Sequence, residues 1–89
     1  MGFTKLRPGF CADEMGDRCD VLYERINEGL ASCQQRCTAI PKVAGSCRAV
    51  EYWRLSHRMT LCRLCRSAAH DTNPAPASNV DCYAYTPVD

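Results

Sequence analysis

The stretch with the most chemistry within reach is Cys62-Arg-Leu-Cys65. Two thiols at this spacing, followed by Arg63 and Arg66, could form a thioredoxin-like redox pair, because a neighbouring guanidinium favours the thiolate. The flanking sequence Thr60-Leu-Cys-Arg-Leu-Cys65 reads as a strand, however, and a redox pair sits where a strand gives way to the N-terminus of a helix. Zinc is a second reading, with Cys33, Cys37, Cys62 and Cys65 as four thiolate ligands. Against it, Cys33 and Cys37 fall on a helix and four further cysteines would be left over. His57 and His70 lie beside Arg58 and Asp71 and could activate a nucleophilic cysteine. No second layer is expected to build a cleft around such a pair. Glu51 is the lone acid in the strand richest in aromatic residues, and it reads as an ion-pair partner of a neighbouring arginine rather than as a proton donor. The sequence therefore implies no catalytic residue, no metal ligand and no cofactor.

The cysteine count supports the structural reading. Eight cysteines in 89 residues are an even number at high density. A chain this short buries a small core and gains from covalent staples. Disulfides made in an oxidising compartment are the expected use. Counting alone leaves about 105 pairings open. All eight (Cys11, Cys19, Cys33, Cys37, Cys47, Cys62, Cys65 and Cys82) are expected to be bonded.

The elements that must position them follow from periodicity. Cys33 and Cys37 stand one helical turn apart, with Leu30 and Ile40 extending their face. Asn27 is the expected N-cap of that helix, and Pro41 its stop. Ahead of it, residues 3–12 read as an edge strand broken at Pro8-Gly9 and ending near Cys11. Asp13 to Asp17 reads as a turn, and residues 18–23 as a short strand pairing back. After it, 42–46 reads as a loop and Cys47 to Leu55 as the best strand. In that strand Cys47, Ala49, Glu51 and Trp53 share one face, and Arg48, Val50, Tyr52 and Arg54 the other. Ser56 to Met59 is a turn and Thr60 to Cys65 a second central strand, with Cys62 and Leu64 facing away from Cys65. Residues 71–79 read as a Pro-rich loop and Val80 to Tyr85 as a closing strand.

Net charge is +1, so no global field draws the chain to nucleic acid or to an anionic membrane. Asp13, Glu14, Asp17, Asp20, Glu24 and Glu28 crowd the first third, whereas Arg48, Arg54, Arg58, Arg63 and Arg66 dominate residues 48–66. These segments are either two solvated faces or a dipolar docking surface. No apolar run is long enough to span a bilayer. The first residues lack the apolar core of a signal peptide, and Leu6 breaks the myristoylation pattern after Gly2. A disulfide-rich chain of this kind is expected in an extracellular or lumenal compartment, released from a longer precursor.

Taken in order, these pieces resemble the PAN/apple domain family. The resemblance rests on Cys33 and Cys37 on a helix, Cys47-Arg-Ala-Val-Glu-Tyr-Trp opening a strand, and Cys62-Arg-Leu64. Gly9-Phe-Cys11 at the start and Cys82-Tyr83 at the end are similar to the PAN-like domains of algae and other protists. The fold it implies is α+β: a small disulfide-rich domain, one α-helix packed against a curved antiparallel β-sheet. It would span residues 3–85, with 86–89 as a short tail. The resemblance implies bonds Cys37–Cys47, Cys33–Cys62 and Cys11–Cys82. Cys19 and Cys65 are the two it leaves over, expected to form a fourth. It also implies a non-catalytic module that binds a protein or a carbohydrate. The contact residues expected are Tyr52, Trp53, Arg54, His57 and Arg58, an aromatic and basic set on one strand and its following turn. Two rival readings are an accessory subunit of a larger complex facing an oxidising lumen, such as a thylakoid lumen, or the cell exterior, and a secreted signalling or effector peptide.

Overall fold

The central hairpin of the protein joins β4 (Ala49–Arg54) to β5 (Thr60–Cys65). Their β-branched and aromatic residues suit a pleated surface packed on both sides. In the computed structural model, which describes residues 2–40, 46–73 and 79–86, β7 (Val80–Thr86) pairs with the other side of β4. β1 (Gly2–Pro8) and β3 (Val21–Ile26) form the two edges. The resulting antiparallel sheet has the order β1-β7-β4-β5-β3. A second, two-stranded ribbon pairs β2 (Phe10–Ala12) with β6 (Asp71–Asn73). One helix, α1 (Leu30–Ala39), completes the described residues. An α+β fold with a helix on an antiparallel sheet was the expected class. No helix among the described residues is long and apolar enough to cross a membrane.

Alternation along β4 and β5 divides the molecule into three layers. Val50, Cys62 and Leu64 point to one face and pack with Cys33 and Cys37 of α1 and with Cys47. Ala49 and Cys65 point to the other, where they meet Cys11 of the ribbon and Cys82. Helix, sheet and ribbon are thus stacked. Cys47 departs from the expected pattern: it joins the helix-side cluster although Ala49 does not. The strand begins only at Ala49, so the two-residue alternation does not extend back to Cys47.

The cores are small. Among the described residues, the buried aliphatic side chains larger than alanine are Val50, Leu61, Leu64 and Val80. Cysteines fill much of the remaining interior, every one except Cys19 being at most 4% exposed. The four bonds are Cys11–Cys82, Cys19–Cys65, Cys33–Cys62 and Cys37–Cys47, the pairing implied by the family resemblance together with its two leftover cysteines. Cys33–Cys62 bolts α1 to β5 and Cys37–Cys47 bolts it to the residues leading into β4, while the other two tie the ribbon side to the sheet. They close separations of 71, 46, 29 and 10 residues. Each contributes about 2–4 kcal/mol, the longer loops more in the chain-entropy picture.

Several expectations need correction. The first strand is at an edge, as expected, but it does not run through to Cys11. It breaks at buried Gly9, whose φ of 141° excludes side chains, and the chain resumes as β2 in the ribbon. Residues 18–23 do not pair back on the first strand. Asp13 Oδ1 accepts the N–H groups of Met15 and Asp17 and turns the chain. Only a single bridge, Ala12 to Arg18, is made there. The strand that follows, β3, pairs with β5 at the far edge. Asn27 is not a helix cap. It adopts a left-handed φ of 64°, its N–H donates to Thr60 O and its side-chain oxygen accepts the Thr60 N–H. Asn27 thus closes the β3–β5 ladder, an alternative use of a short amide that tolerates left-handed backbone. α1 instead starts after Gly29 without a side-chain cap. The expected loop 71–79 opens with a strand, β6, at Asp71–Asn73. Its remainder at 74–78, most of the 42–46 loop, the Pro41 stop and nearly all of the 86–89 tail lie outside the described residues.

Candidate functional site

The ribbon side of the sheet carries a buried acid. Glu51 in β4 is fully buried, and its carboxylate is saturated. Oε2 accepts the Cys11 N–H at 2.9 Å; Oε1 accepts the Trp53 indole N–H at 3.1 Å and pairs with Arg63 at 3.3 Å. The expected ion pair with a neighbouring arginine is present. A buried charge held by three donors is stable where an unpaired one is costly. Above it runs a column of two tilted rings between two guanidinium groups. Arg18 lies 3.9 Å over the Phe10 ring, Phe10 meets Trp53 at 5.1 Å, and Arg63 lies 5.4 Å over Trp53. Arg63 then reaches Glu24 on β3. Ribbon, β4, β5 and β3 are therefore tied through one set of polar and aromatic contacts, and among the described residues no buried side-chain N or O atom lacks a partner.

This arrangement bears on each chemical reading of the cysteines. Cys62 and Cys65 face opposite sides of β5 and bond to Cys33 and Cys19, so they are not a redox pair with each other. The four cysteines considered for zinc belong to three different disulfides. Cys11 Sγ, Cys65 Sγ and a Glu51 oxygen converge within 4.8 Å. The two sulfurs are oxidised and offer no thiolate, which a metal site of this type requires. His57 is exposed in the β4–β5 turn and His70 is exposed ahead of β6. All eight cysteines are bonded, leaving neither histidine a thiol to activate.

The helix side is only partly covered among the described residues. Among the described residues α1 packs on β4 and β5. On the same face, over β7 and β1, stand Tyr83 and Tyr85, with Phe3 stacked on Tyr85 at 4.8 Å. Tyr52 on β4 lies beside Asp81 on β7. Phe3, Tyr52, Tyr83 and Tyr85 are all half-buried. The charged group among them is Asp81, which accepts from Arg54 at 2.7 Å and lies 3.8 Å from Lys5. Both cations are largely exposed while the carboxylate is not. The result is a shallow aromatic surface on a rigid sheet, rimmed by two cations that share one buried acid. Burial, with Asp81 adding to it, pushes the Tyr83 phenol above its ordinary range, so its hydroxyl remains a donor as well as an acceptor.

The expected contact residues are divided by this geometry. Tyr52 and Arg54 are on the open aromatic face. His57 and Arg58 project from the adjoining turn, where Ser56 Oγ accepts the N–H groups of Arg58 and Met59. Trp53 points to the opposite side and is occupied by Phe10, Glu51 and Arg63. The β-strand alternation already placed Trp53 away from Tyr52 and Arg54. Asp81, Lys5 and Phe3 were not among the expected contact residues. The signal available was their alternation on the first and last strands, but only the strand order makes those two neighbours.

A second polar feature anchors the helix. Glu28, just ahead of α1, accepts from the Arg36 guanidinium at 2.8 Å, and Arg36 also lies 4.7 Å over the Tyr23 ring of β3. This hydrogen bond holds the Glu28 carboxyl below its usual range, against the opposing effect of burial. The exposed Arg7–Asp71 pair lowers Asp71 in the same way and links β1 to β6.

Compared with protein-family models, with curated proteins and with solved structures, the chain matches none.

Proposed function

We propose that the protein is a non-catalytic, disulfide-stapled binding module of the PAN/apple type, working in an oxidising compartment outside the cell or in a lumen. It takes a protein surface or a carbohydrate on the uncovered half of its sheet. The observation that carries this reading is the open aromatic face: half-buried Tyr52 and Tyr83 beside Phe3, with Lys5 and Arg54 at its rim. Flat aromatic side chains on strands present large contact area at little conformational cost, and they suit either a sugar ring or a protein anchor. His57 and Arg58 extend the surface past the end of β4.

The test is binding by two single variants, Tyr83→Ala and Arg54→Glu, on a glycan array and in pull-downs from the native source. Both variants are expected to lose the partner while keeping a native circular dichroism spectrum. Full retention of binding by both would overturn the assignment of this face.

An accessory-subunit role has one feature in its favour. Edge strand β3 exposes Val21 and Ile26, 42% and 52% accessible, apolar surface that a larger assembly would cover. In size exclusion from native extract a subunit elutes with its complex, whereas a free module elutes at its own size.

A further inference from the structure

We propose that Cys19–Cys65 is the point at which a small thiol attacks the folded protein, and that the exchange then passes inward to Cys11–Cys82. This inference is independent of what the open face binds.

Two observations carry it. First, three of the disulfides have both cysteines buried, and only Cys19 among the eight is half-buried. Thiol–disulfide exchange requires the incoming sulfur to reach one sulfur of the bond, so access selects Cys19. Second, Cys65 Sγ and Cys11 Sγ belong to different disulfides yet lie within 4.8 Å of each other, both in the ribbon-side core. The other half of each bond leads elsewhere, to Cys19 near the surface and to Cys82 on β7.

A low-molecular-weight thiolate attacks Cys19 Sγ, forms a mixed disulfide there and expels Cys65 as a thiolate. The Cys65 thiolate attacks Cys11 Sγ, forms Cys11–Cys65 and expels Cys82 as a thiolate, which takes a proton. No net electrons are lost in the second step: one disulfide is broken and one is made. The ribbon stays tethered throughout, but to β5 instead of β7. The Glu51 carboxylate against both sulfurs opposes negative charge developing at Cys65. The exchange is therefore slow relative to that of an exposed disulfide, and the oxidised pairing persists in the absence of thiol.

The experiment treats the folded, oxidised protein with reduced glutathione and traps samples over time with N-ethylmaleimide. Tryptic peptides are then mapped by mass. Cleavage after Arg18, Arg63 and Arg66 places Cys19, Cys62 and Cys65 on separate peptides. The expected first product carries glutathione on Cys19, about tenfold in excess over any other cysteine. The expected second product holds a Cys11–Cys65 bond with Cys82 alkylated. In concentrated guanidinium chloride the preference for Cys19 is expected to vanish. First capture of glutathione at any other cysteine would overturn the proposal. So would alkylated Cys65 alongside a lasting Cys11–Cys82 bond, or a Cys19 preference that survives unfolding.

Discussion

The two faces of the one sheet are built to different ends. The ribbon side is turned inward: two disulfides, a Glu51 held by three donors, and two aromatic rings between two guanidinium groups. On the helix side two disulfides hold α1 in place, and the half of the face over β7 and β1 is aromatic, with its cations outward and the acid they share buried. Both sides spend the same residue types. Trp53 and Tyr52 are neighbours in sequence, yet one is locked among Phe10, Glu51 and Arg63 while the other stands on the open face. Composition therefore says little about which aromatic is structural; the parity of its position along the strand and what covers that side decide it.

This contrast can be broken from either side. The largest effect is expected from full reduction, which removes four cross-links of about 2–4 kcal/mol each from a domain whose net stability is typically near 5 kcal/mol. The reduced chain should lose its native circular dichroism. Next comes Glu51→Ala, which leaves the Cys11 N–H, the Trp53 indole and Arg63 without their shared acceptor. A loss of about 3–5 kcal/mol is expected, the cost of breaking one side of a buried ion pair, read from denaturant unfolding with disulfides intact. Trp53→Ala should cost about 3 kcal/mol as a truncated, partly buried aromatic. By contrast, Tyr52→Ala and Tyr83→Ala on the open face should each cost about 1–2 kcal/mol, because surface near the solvent relaxes more readily. If Trp53 and Tyr83 proved equally dispensable, the two-sided description would fail.

The smallest effect concerns acid. Arg36 holds the Glu28 carboxyl below its unfolded value. Its contribution is therefore fully present above the ordinary glutamate range and is lost as the pH falls through the lowered value. Glu28→Gln should remove that part of the acid dependence, seen as a shallower fall of the melting temperature with pH and unchanged behaviour near neutrality relative to its own baseline.

Much of the frame was legible in the residues. The one-turn spacing of Cys33 and Cys37, the β-rich run after Cys47 and the opposed parity of Cys62 and Cys65 are local patterns, and the structure carries all three. What escaped was the part fixed by distant partners. β6 is three residues long, too short to show alternation, and it exists because β2 lies beside it. Asn27 has the chemistry of a helix cap and of a tight turn alike, and the hydrogen bonds to Thr60 decide for the turn. Glu51 read correctly as an arginine partner, but its burial depends on the ribbon folding across β4, which no spacing announces. The open face was half-seen, since Tyr52 and Arg54 come from one strand while Asp81, Lys5 and Phe3 come from strands at opposite ends of the chain.

The pairing of β1 with β7 sets Gly2 directly across from Thr86. Opposite residues on antiparallel strands stand about 5 Å apart, so residues 2 and 86, far apart in sequence, lie side by side. A domain with that geometry can be spliced into a surface loop of a host, or repeated along a stalk, without prying the flanking sequence apart.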